Sequence, residues 1–475
     1  MGKNRNIQGR KGRKFSEELR GVNLDQIIVV SIDAAKYHPK ALICNYFGDI
    51  LEDSFFFAVN SVGLNELDNK IRQCVKTCNA QRILIGIEAT GHYHEDVVRE
   101  LEKRGYQVTI INAYTTSEER SSGLNWTKTD DVDLAAIAVA IRHNKGTESK
   151  LPSGIYDKLL TATRARRSEV NQHSDLQIGI RQLMDVIWPG FQAITEVRNG
   201  KAETKAIFSD FWGKAPLFLM RHYPEPKQVL NLGTEGLRQL SREHKLKMRS
   251  GTIEKLLHVA KLAFNKKTED LEIELMLLKM KLDDLDRSDQ NISLLEQKIE
   301  ELLVQTSGVI LLSLPEVGVV TAAQFTAEAG PIDQYTNARQ IIKKAGTNPL
   351  VSQTGGSEPT YGPISKQGNP WFRTAIYSIG FNLANGKTNP YFRTFAERLK
   401  ANGKKGSQIW IATGNKFIRV AFALLRDKKL FNPPLWNGLP LTKNVLSKIK
   451  SKENKEVAQK TLDSLLDKDD HLRVS

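Results

Sequence analysis

The chain has 475 residues, of which 40% are hydrophobic and 26% charged. That is enough to bury cores and argues against overall disorder; the length suggests about three domains. Lys+Arg 69 against Asp+Glu 54 leaves a formal charge of +15, which argues against an ordinary metabolic enzyme and for a polyanionic partner. Three cysteines (Cys44, Cys74, Cys78) in so long a chain exclude a disulfide framework.

Residues 1–22 form a basic arm, with Lys3, Arg5, Arg10, Lys11, Arg13 and Lys14 ahead of any acid. It is expected to be disordered alone and to order on nucleic acid, or to serve only solubility. The arm is followed by no hydrophobic stretch, so it is not a secretory signal. No apolar run reaches the roughly 20 residues needed to span a bilayer. A soluble cytoplasmic, nucleoid-associated protein is expected.

Residues 23–150 read as a mixed α/β domain. IIVVSID (27–33) is a continuous β-branched run ending in an acid, as in a buried central strand. ALICNYF (41–47) and DSFFFAV (53–59) follow, joined by a turn at Gly48 and Asp49. Then come a helix (63–78), a strand RILIGIE (82–88), a helix (94–104), a strand QVTIIN (107–112) and a helix near 130–143. Three antiparallel strands before alternating helices and strands are the order of an RNase H-like fold.

Residues 151–306 read as a helical spacer. Leu271, Leu275, Leu278, Leu282 and Leu285, then Ile292, Leu295, Ile299 and Leu302, make a coiled-coil-like seam broken at Asp289. The seam fits dimerisation, a rigid spacer or an intrachain helical hairpin. Residues 307–430 form a mostly helical domain. In it, SLPEVGVVTAAQFTAEAG (313–330) has the shape of a helix–hairpin–helix, with a turn at Gly318 that could face a phosphate, or of a plain αα-hairpin. Residues 431–475 read as a charged, solvated tail.

The chemistry lies in carboxylates. Asp33 ends the first strand and Glu88 the fourth, while Asp130 and Asp133 share one face at the start of a helix. Asp131, between them, points elsewhere. Each acid alone has an ordinary reading: Asp130 as a helix N-cap, Glu88 as a turn residue. Four converging carboxylates repel unless cations fill the space between them. Oxygen-only ligands suit Mg²⁺ or Mn²⁺, and two such ions could clamp a phosphodiester. His92 and His94 are two apart, do not share a helix face and complete no zinc set. Lys128 and Thr129 precede the helical acids and could contact a phosphate. Between Lys366 and Arg426, basic residues that include Arg373, Arg398, Lys404 and Lys405 interleave with Trp371, Phe372, Tyr391 and Phe395. That pattern suits a phosphate-tracking, base-stacking surface, with Phe372 and Phe395 better assigned to the core. VSQTGGSEPTYGPISKQGN (351–369) is a polar loop that could present a hydroxyl nucleophile.

SIDAAK, GIEATGHYHEDV, KTDDVDLAAIA, LPEVGVVTAAQFTAEAG, ISKQGNPWFRTAIYS and FAERLKANGKKG occur in that order. Over 27–145 and 307–427 the chain resembles the insertion-sequence 110 family of transposases, the DEDD recombinases. The resemblance implies a RuvC-like domain with Asp33, Glu88, Asp130 and Asp133 as a metal-binding tetrad. It also implies a transposase domain whose serine attaches covalently to the cut DNA strand. DNA as substrate, an element-encoded structured RNA and a homodimer or homotetramer are implied as partners. One departure stands out: where the family has Ser before Gly, this chain has Thr354, flanked by Ser352 and Ser357. Thr354 as nucleophile, a neighbouring Ser in its place, or an inactive copy all remain open. So do a metal-dependent junction nuclease without a covalent intermediate and an inactive nucleic-acid-binding relative. An actin-like ATPase is set aside, because Ala34, Ala35 and Lys36 lack a glycine turn.

Overall fold

A computed structural model describes residues 6–122, 129–148, 151, 154–198, 201–264, 266–353, 358, 360–387, 390–432 and 441–466. It divides into two units, Met1–Leu151 and Pro152–Ser475.

Unit 1 runs α1 (Gly9–Leu19), β1 (Ile27–Asp33), β2 (Lys40–Asn45), β3 (Ile50–Phe56), α2 (Ser61–Thr77), β4 (Arg82–Glu88), α3 (Tyr93–Lys103), β5 (Val108–Ile111), α4 (Ala113–Ser122), α5 (Asp130–Arg142) and β6 (Thr147–Glu148). The strands form one sheet in the order β3-β2-β1-β4-β5-β6. β1 is antiparallel to β2 and parallel to β4, and β5 continues parallel to β4. The β2–β3 turn is drawn tight by Asn45, whose side chain accepts from the backbone N–H of Phe47, Gly48 and Asp49. Gly48 there has φ +107°, a conformation that favours glycine.

Strand alternation divides the sheet's two faces. Ile28, Val30, Ile32, Ile43, Ile85 and Ile87 pack under α2 and α3. Val29, Leu42, Cys44 and Ile111 pack under α5, through its Leu134, Ile137 and Ile141. Both faces are covered, which is why IIVVSID reads as continuously apolar.

Part of the basic arm is ordered, contrary to expectation. α1 is held to unit 1: Gln8 donates to the His143 carbonyl at 2.6 Å, and the Lys11 ammonium donates to the Gly146 carbonyl. Lysine stems and carbonyl contacts of this kind leave no signal in charge patterning.

Unit 2 contains α6 (Ile155–Ile187), β7 (Ala193–Arg198), β8 (Lys201–Ala206), α7 (Lys214–His222), α8 (Pro226–Glu243), α9 (Ser250–Leu262), α10 (Glu272–Leu303), α11 (Val319–Ala329), α12 (Ala338–Ala345), β9 (Pro349–Ser352), β10 (Thr360–Ile364), α13 (Pro370–Asn385), α14 (Pro390–Ala401), α15 (Gly406–Asp427), α16 (Leu441–Ser447) and α17 (Lys452–Leu465). α6 and α10 pack side by side as an antiparallel stem of about 50 Å. Arg166 forks onto Glu296 at 2.9 and 2.6 Å, and His173 meets Asp289 at 3.0 Å.

The apolar seam therefore lies partly within one chain, and α10 continues through Asp289 without a break. A single acid on the exposed side of a helix does not interrupt its hydrogen bonds. At one end of the stem Ile180, Met184, Leu278 and Leu282 join a helical head with Phe191, Leu219, Leu237 and Leu256. At the other end Leu159, Ile299 and Leu303 enter a larger core with α11, α13 and α15.

Two further expectations are corrected in that core. Residues 313–330 do not form paired α-helices: a 3-10 helix (Ser307–Ser313) leads into α11, most of which is buried. The tail is not wholly solvated, because Val445, Ile449, Ala458 and Leu462 are buried in the same core. Glu300 accepts there from the backbone N–H of Lys450 and Ser451 and from Asn454 at 2.9–3.0 Å. Lys448 donates to the carbonyls of Leu312, Leu314 and Val317. The lysine-rich composition conceals this amphipathic spacing. No helix among the described residues is long and apolar enough to cross a membrane.

Candidate functional site

The parallel pairing of β1 with β4 runs from Ile27↔Arg82 to Ile32↔Ile87. The next step of that register sets Asp33 beside Glu88, on strands about 4.8 Å apart. By alternation Asp33 shares a face with Val29, and Glu88 shares one with Leu84, so both acids lie on the α5 side. Both are half-buried.

α5 is directed so that its first turn reaches the same end of the sheet. Lys40, paired with Asp33 across β1 and β2, donates to Asp131 at 2.5 Å. At the other end of the helix Arg142 donates to the Tyr46 carbonyl at 3.0 Å. Between these ends the helix is seated at Gly86, where a side chain would collide with Ile141. Thr129 is the N-cap, its hydroxyl accepting from the Val132 N–H at 3.3 Å. Asp130 is thus released from capping and stands exposed in the first helical turn. Lys40 first, then the Ser54 hydroxyl, holds the Asp131 carboxyl below the usual carboxylate range. This fixes Asp131 away from its neighbours, as its spacing implies.

Asp133 is 7% exposed. Its carboxylate is paired with the Arg120 guanidinium of α4, which also donates to Ser117. A second pair, exposed Lys145 with buried Glu119, ties α4 to the residues after α5. Sequence reasoning missed Arg120, because a pair 13 residues apart across a helix break has no periodic signature. Near Glu88, Thr90 donates weakly to its carboxylate at 3.5 Å. His94 is buried in α3, and burial lowers its pKa, while His92 is exposed.

The topology thus brings Asp33, Glu88 and the first turn of α5, which carries Asp130 and Asp133, to one end of the sheet on one face. Among the described residues, no three His, Cys, Asp or Glu side chains are gathered closely enough to hold a metal ion as they stand. The donor set is all-oxygen and suits Mg²⁺ or Mn²⁺. Arg120 supplies the positive charge that Asp133 now faces.

In unit 2 the polar stretch forms the hairpin β9–β10, with Ser352 paired to Thr360. Ser352 is exposed at the end of β9, and its carbonyl accepts from the Thr360 hydroxyl at 3.0 Å. Thr354 and Ser357 lie outside the described residues, as does Lys128.

The hairpin's base is firmly built. Ser365 donates to Asn348 through both backbone and hydroxyl, at 2.8 and 2.9 Å. Gly346 and Gly368 abut so closely that a side chain on either would strike backbone. Arg373 donates to the Lys366 carbonyl at 3.0 Å, so this guanidinium shapes the loop rather than standing free. Lys366, Arg398, Lys404 and Lys405 are exposed. Lys416 lies 3.8 Å from the Tyr391 ring centroid and 4.5 Å from that of Phe395. Burial, then the Arg398 charge, lowers its pKa. Phe372 is fully buried and Phe395 half-buried.

Two family profiles match the chain. One, a transposase profile of the DEDD IS110 type, covers residues 30–189; the other, transposase IS116/IS110/IS902 family, covers 309–397. The chain is 30% identical over 149 residues to the 43.6 kDa protein of insertion element IS110 from Streptomyces coelicolor, covering 31% of this chain and 36% of that one. It is 25% identical over 123 residues to the pilin gene-inverting protein of Moraxella bovis, covering 26% and 38%. With the 44.8 kDa protein of insertion element IS116 from Streptomyces clavuligerus it shares 21% identity over 417 residues, 86% of this chain and 96% of the relative. The chain thus spans about a third of the length of the first curated relatives it matches.

Proposed function

Because the chain belongs to the IS110/IS116/IS902 family of transposases, we propose that it is a DNA recombinase that cuts and rejoins DNA strands. Unit 1 is read as an RNase H-like catalytic domain. Asp33, Glu88, Asp130 and Asp133 would hold Mg²⁺ or Mn²⁺, and Asp133 would exchange Arg120 for the ion. When bound, such ions polarise the scissile phosphate and stabilise the attacking and leaving oxygens. The observation that carries this reading is the β1–β4 register, which sets Asp33 beside Glu88 at the end of the sheet reached by the first turn of α5.

The nucleophile is read as a hydroxyl of the β9–β10 hairpin: Thr354, or Ser352 or Ser357. Its oxygen bonds to phosphorus, the sugar–oxygen bond to phosphorus breaks, and the departing sugar oxygen takes the proton. A free sugar hydroxyl of another strand reverses the step and releases the protein. The phosphodiester count is unchanged, so no external energy source is required. The firm base formed by Asn348 and Ser365 would hold the hairpin at a fixed angle.

Lys366, Arg398, Lys404 and Lys405 supply charge for DNA backbones. Ile273, Met276 and Met280 make an exposed apolar row on α10, which fits a homodimer or higher assembly. A structured RNA partner is carried over from the family alone. Cytoplasmic, nucleoid-associated action is part of the same reading.

The test is covalent trapping on DNA that flanks the gene. The wild type should form a denaturation-resistant DNA adduct in Mg²⁺, and Asp33→Ala should not. Loss of the adduct in one of Thr354→Ala, Ser352→Ala or Ser357→Ala would name the nucleophile. Cleavage with no adduct in any variant would instead favour a junction nuclease. No cleavage at all would favour an inactive binder.

A further inference from the structure

Between α6, α11 and α13 of unit 2 lies a cavity of about 380 Å³, lined by none of the four acids and by no residue of the hairpin. Its size falls within the roughly 300–1,000 Å³ of small-ligand sites. One wall is rigid. Arg164 forks onto Glu328, Nε to Oε1 at 2.9 Å and the second nitrogen to Oε2 at 3.0 Å. Asn369 adds a bond to the same carboxylate at 2.8 Å. Glu328 is 6% exposed, while the Arg164 side chain is about a third exposed on the cavity side of the fork. Fixed in this way, the Arg164 guanidinium lies 5.7 Å from the Trp371 ring centroid.

Trp371 also lines the cavity and is 42% exposed. An indole left so open beside a fixed guanidinium is a platform for a flat ring. Arg167 lines the same cavity one helical turn from Arg164. It is half-buried and makes no ion pair among the described residues. Glu328 offsets Arg164, so the cavity is left with one positive charge, that of Arg167. Gln324 and Ser378 add an amide and a hydroxyl to the lining.

We infer that this cavity binds one unpaired nucleotide, its base stacked on Trp371 and its phosphate on Arg167. An apolar ligand would leave Arg167 half-buried without a partner, which is unfavourable. An acidic peptide would make no use of the indole. A nucleotide uses both, and the amide and hydroxyl can meet a base edge. Stacking on an aromatic ring tolerates any base, so the site grips a strand without reading its sequence. The inference rests on the chain being a DNA-handling enzyme. Single-stranded DNA and single-stranded RNA carry the same chemistry, and the test separates them.

The full-length protein is titrated, by fluorescence anisotropy, into short labelled oligonucleotides of DNA and of RNA at several salt concentrations. Trp371→Ala should weaken binding to at least one of them roughly 10-fold, and Trp371→Phe should restore most of the loss. Arg167→Gln should weaken binding and reduce the salt slope by about one, whereas Trp371→Ala should leave that slope unchanged. An iodouracil oligonucleotide should photocross-link to Trp371. The nucleic acid that responds identifies the source. Circular dichroism confirms that the variants fold; exposed Trp371 makes this the expected result. If the wild type binds and both variants bind equally well with unchanged slopes, the cavity assignment is overturned while strand transfer survives. If the wild type binds neither nucleic acid, the assignment and the reading beneath it fail together.

Discussion

The docking of α5 on the sheet positions two of the four acids, and Gly86 is where that docking can be perturbed. A Cβ at residue 86 would strike both Cγ1 and Cδ1 of Ile141. Gly86→Ala therefore forces Ile141 out of its place or lifts the C-terminal half of α5. Overpacking of this size costs about 1–3 kcal/mol. Removing a glycine from a strand returns roughly 0.5–1 kcal/mol. The expected net loss is about 1–2 kcal/mol, or roughly 2–8 °C in the melting temperature of a unit this size. Ile141→Ala alone should cost about 2–5 kcal/mol by leaving a cavity. Combined with Gly86→Ala it should cost less than the sum of the two single losses, because Ile141→Ala removes both atoms that the new Cβ would strike, Cγ1 and Cδ1. A double-mutant cycle on the full chain, read by chemical denaturation and by amide exchange across residues 130–142, measures the coupling. Strictly additive losses, or no loss in Gly86→Ala, would refute the proposed seating of α5 and with it the argument for where Asp130 and Asp133 stand.

Other consequences follow from the same contacts. Arg120→Ala leaves Asp133 without its partner, which should cost about 2–4 kcal/mol after allowing for the pair's partial exposure. Added Mg²⁺ should raise the melting temperature of that variant more than that of the wild type; equal shifts would argue against exchange of Arg120 for an ion. Glu300→Ala removes three bonds to a carboxylate and should cost about 2–4 kcal/mol, with residues 441–466 becoming sensitive to limited proteolysis; an unchanged digestion pattern would show that the tail is held elsewhere. Burial raises the Glu300 pKa, but Asn454 and the N–H groups of Lys450 and Ser451 outweigh it and hold the carboxyl below its ordinary value of 4.5. The unfolded chain therefore binds this proton more readily, so the stabilisation is complete above about pH 4.5 and is lost as pH falls through the lower folded value. Glu300→Gln should flatten that part of the acid unfolding curve, and an unaltered curve would contradict it.

The sheet was legible because its signals are local. IIVVSID, RILIGIE and the Gly48 turn carry their own period and punctuation, so the strand sequence could be read before any pairing was known. Asp33 and Glu88 were found for the same reason, each ending a recognisable strand. β6 escaped notice because two residues have no period. The partner of the 271–302 seam was hidden, since periodicity shows that α10 has an apolar face but not that α6 covers part of it. The buried Val445, Ile449 and Leu462 were masked by the lysines around them. Arg120 on Asp133 and Arg164 on Glu328 join residues whose meeting is decided by the packing of helices. Single-residue chemistry could mark each as charged and no more. Trp371 was visible as an aromatic among basic residues, but its open ring beside Arg164 and Arg167 is a property of the folded unit.

The central claim is that Asp33, Glu88, Asp130 and Asp133 act together on a divalent ion. The most direct measurement is Mn²⁺ binding followed by electron paramagnetic resonance on the full chain, with the gene's flanking DNA present. Saturable binding by the wild type, abolished in both Asp33→Asn and Glu88→Gln and left intact in Asp131→Asn, is the result the account requires. Binding that survives both substitutions, or a wild-type protein that binds no Mn²⁺, would contradict it.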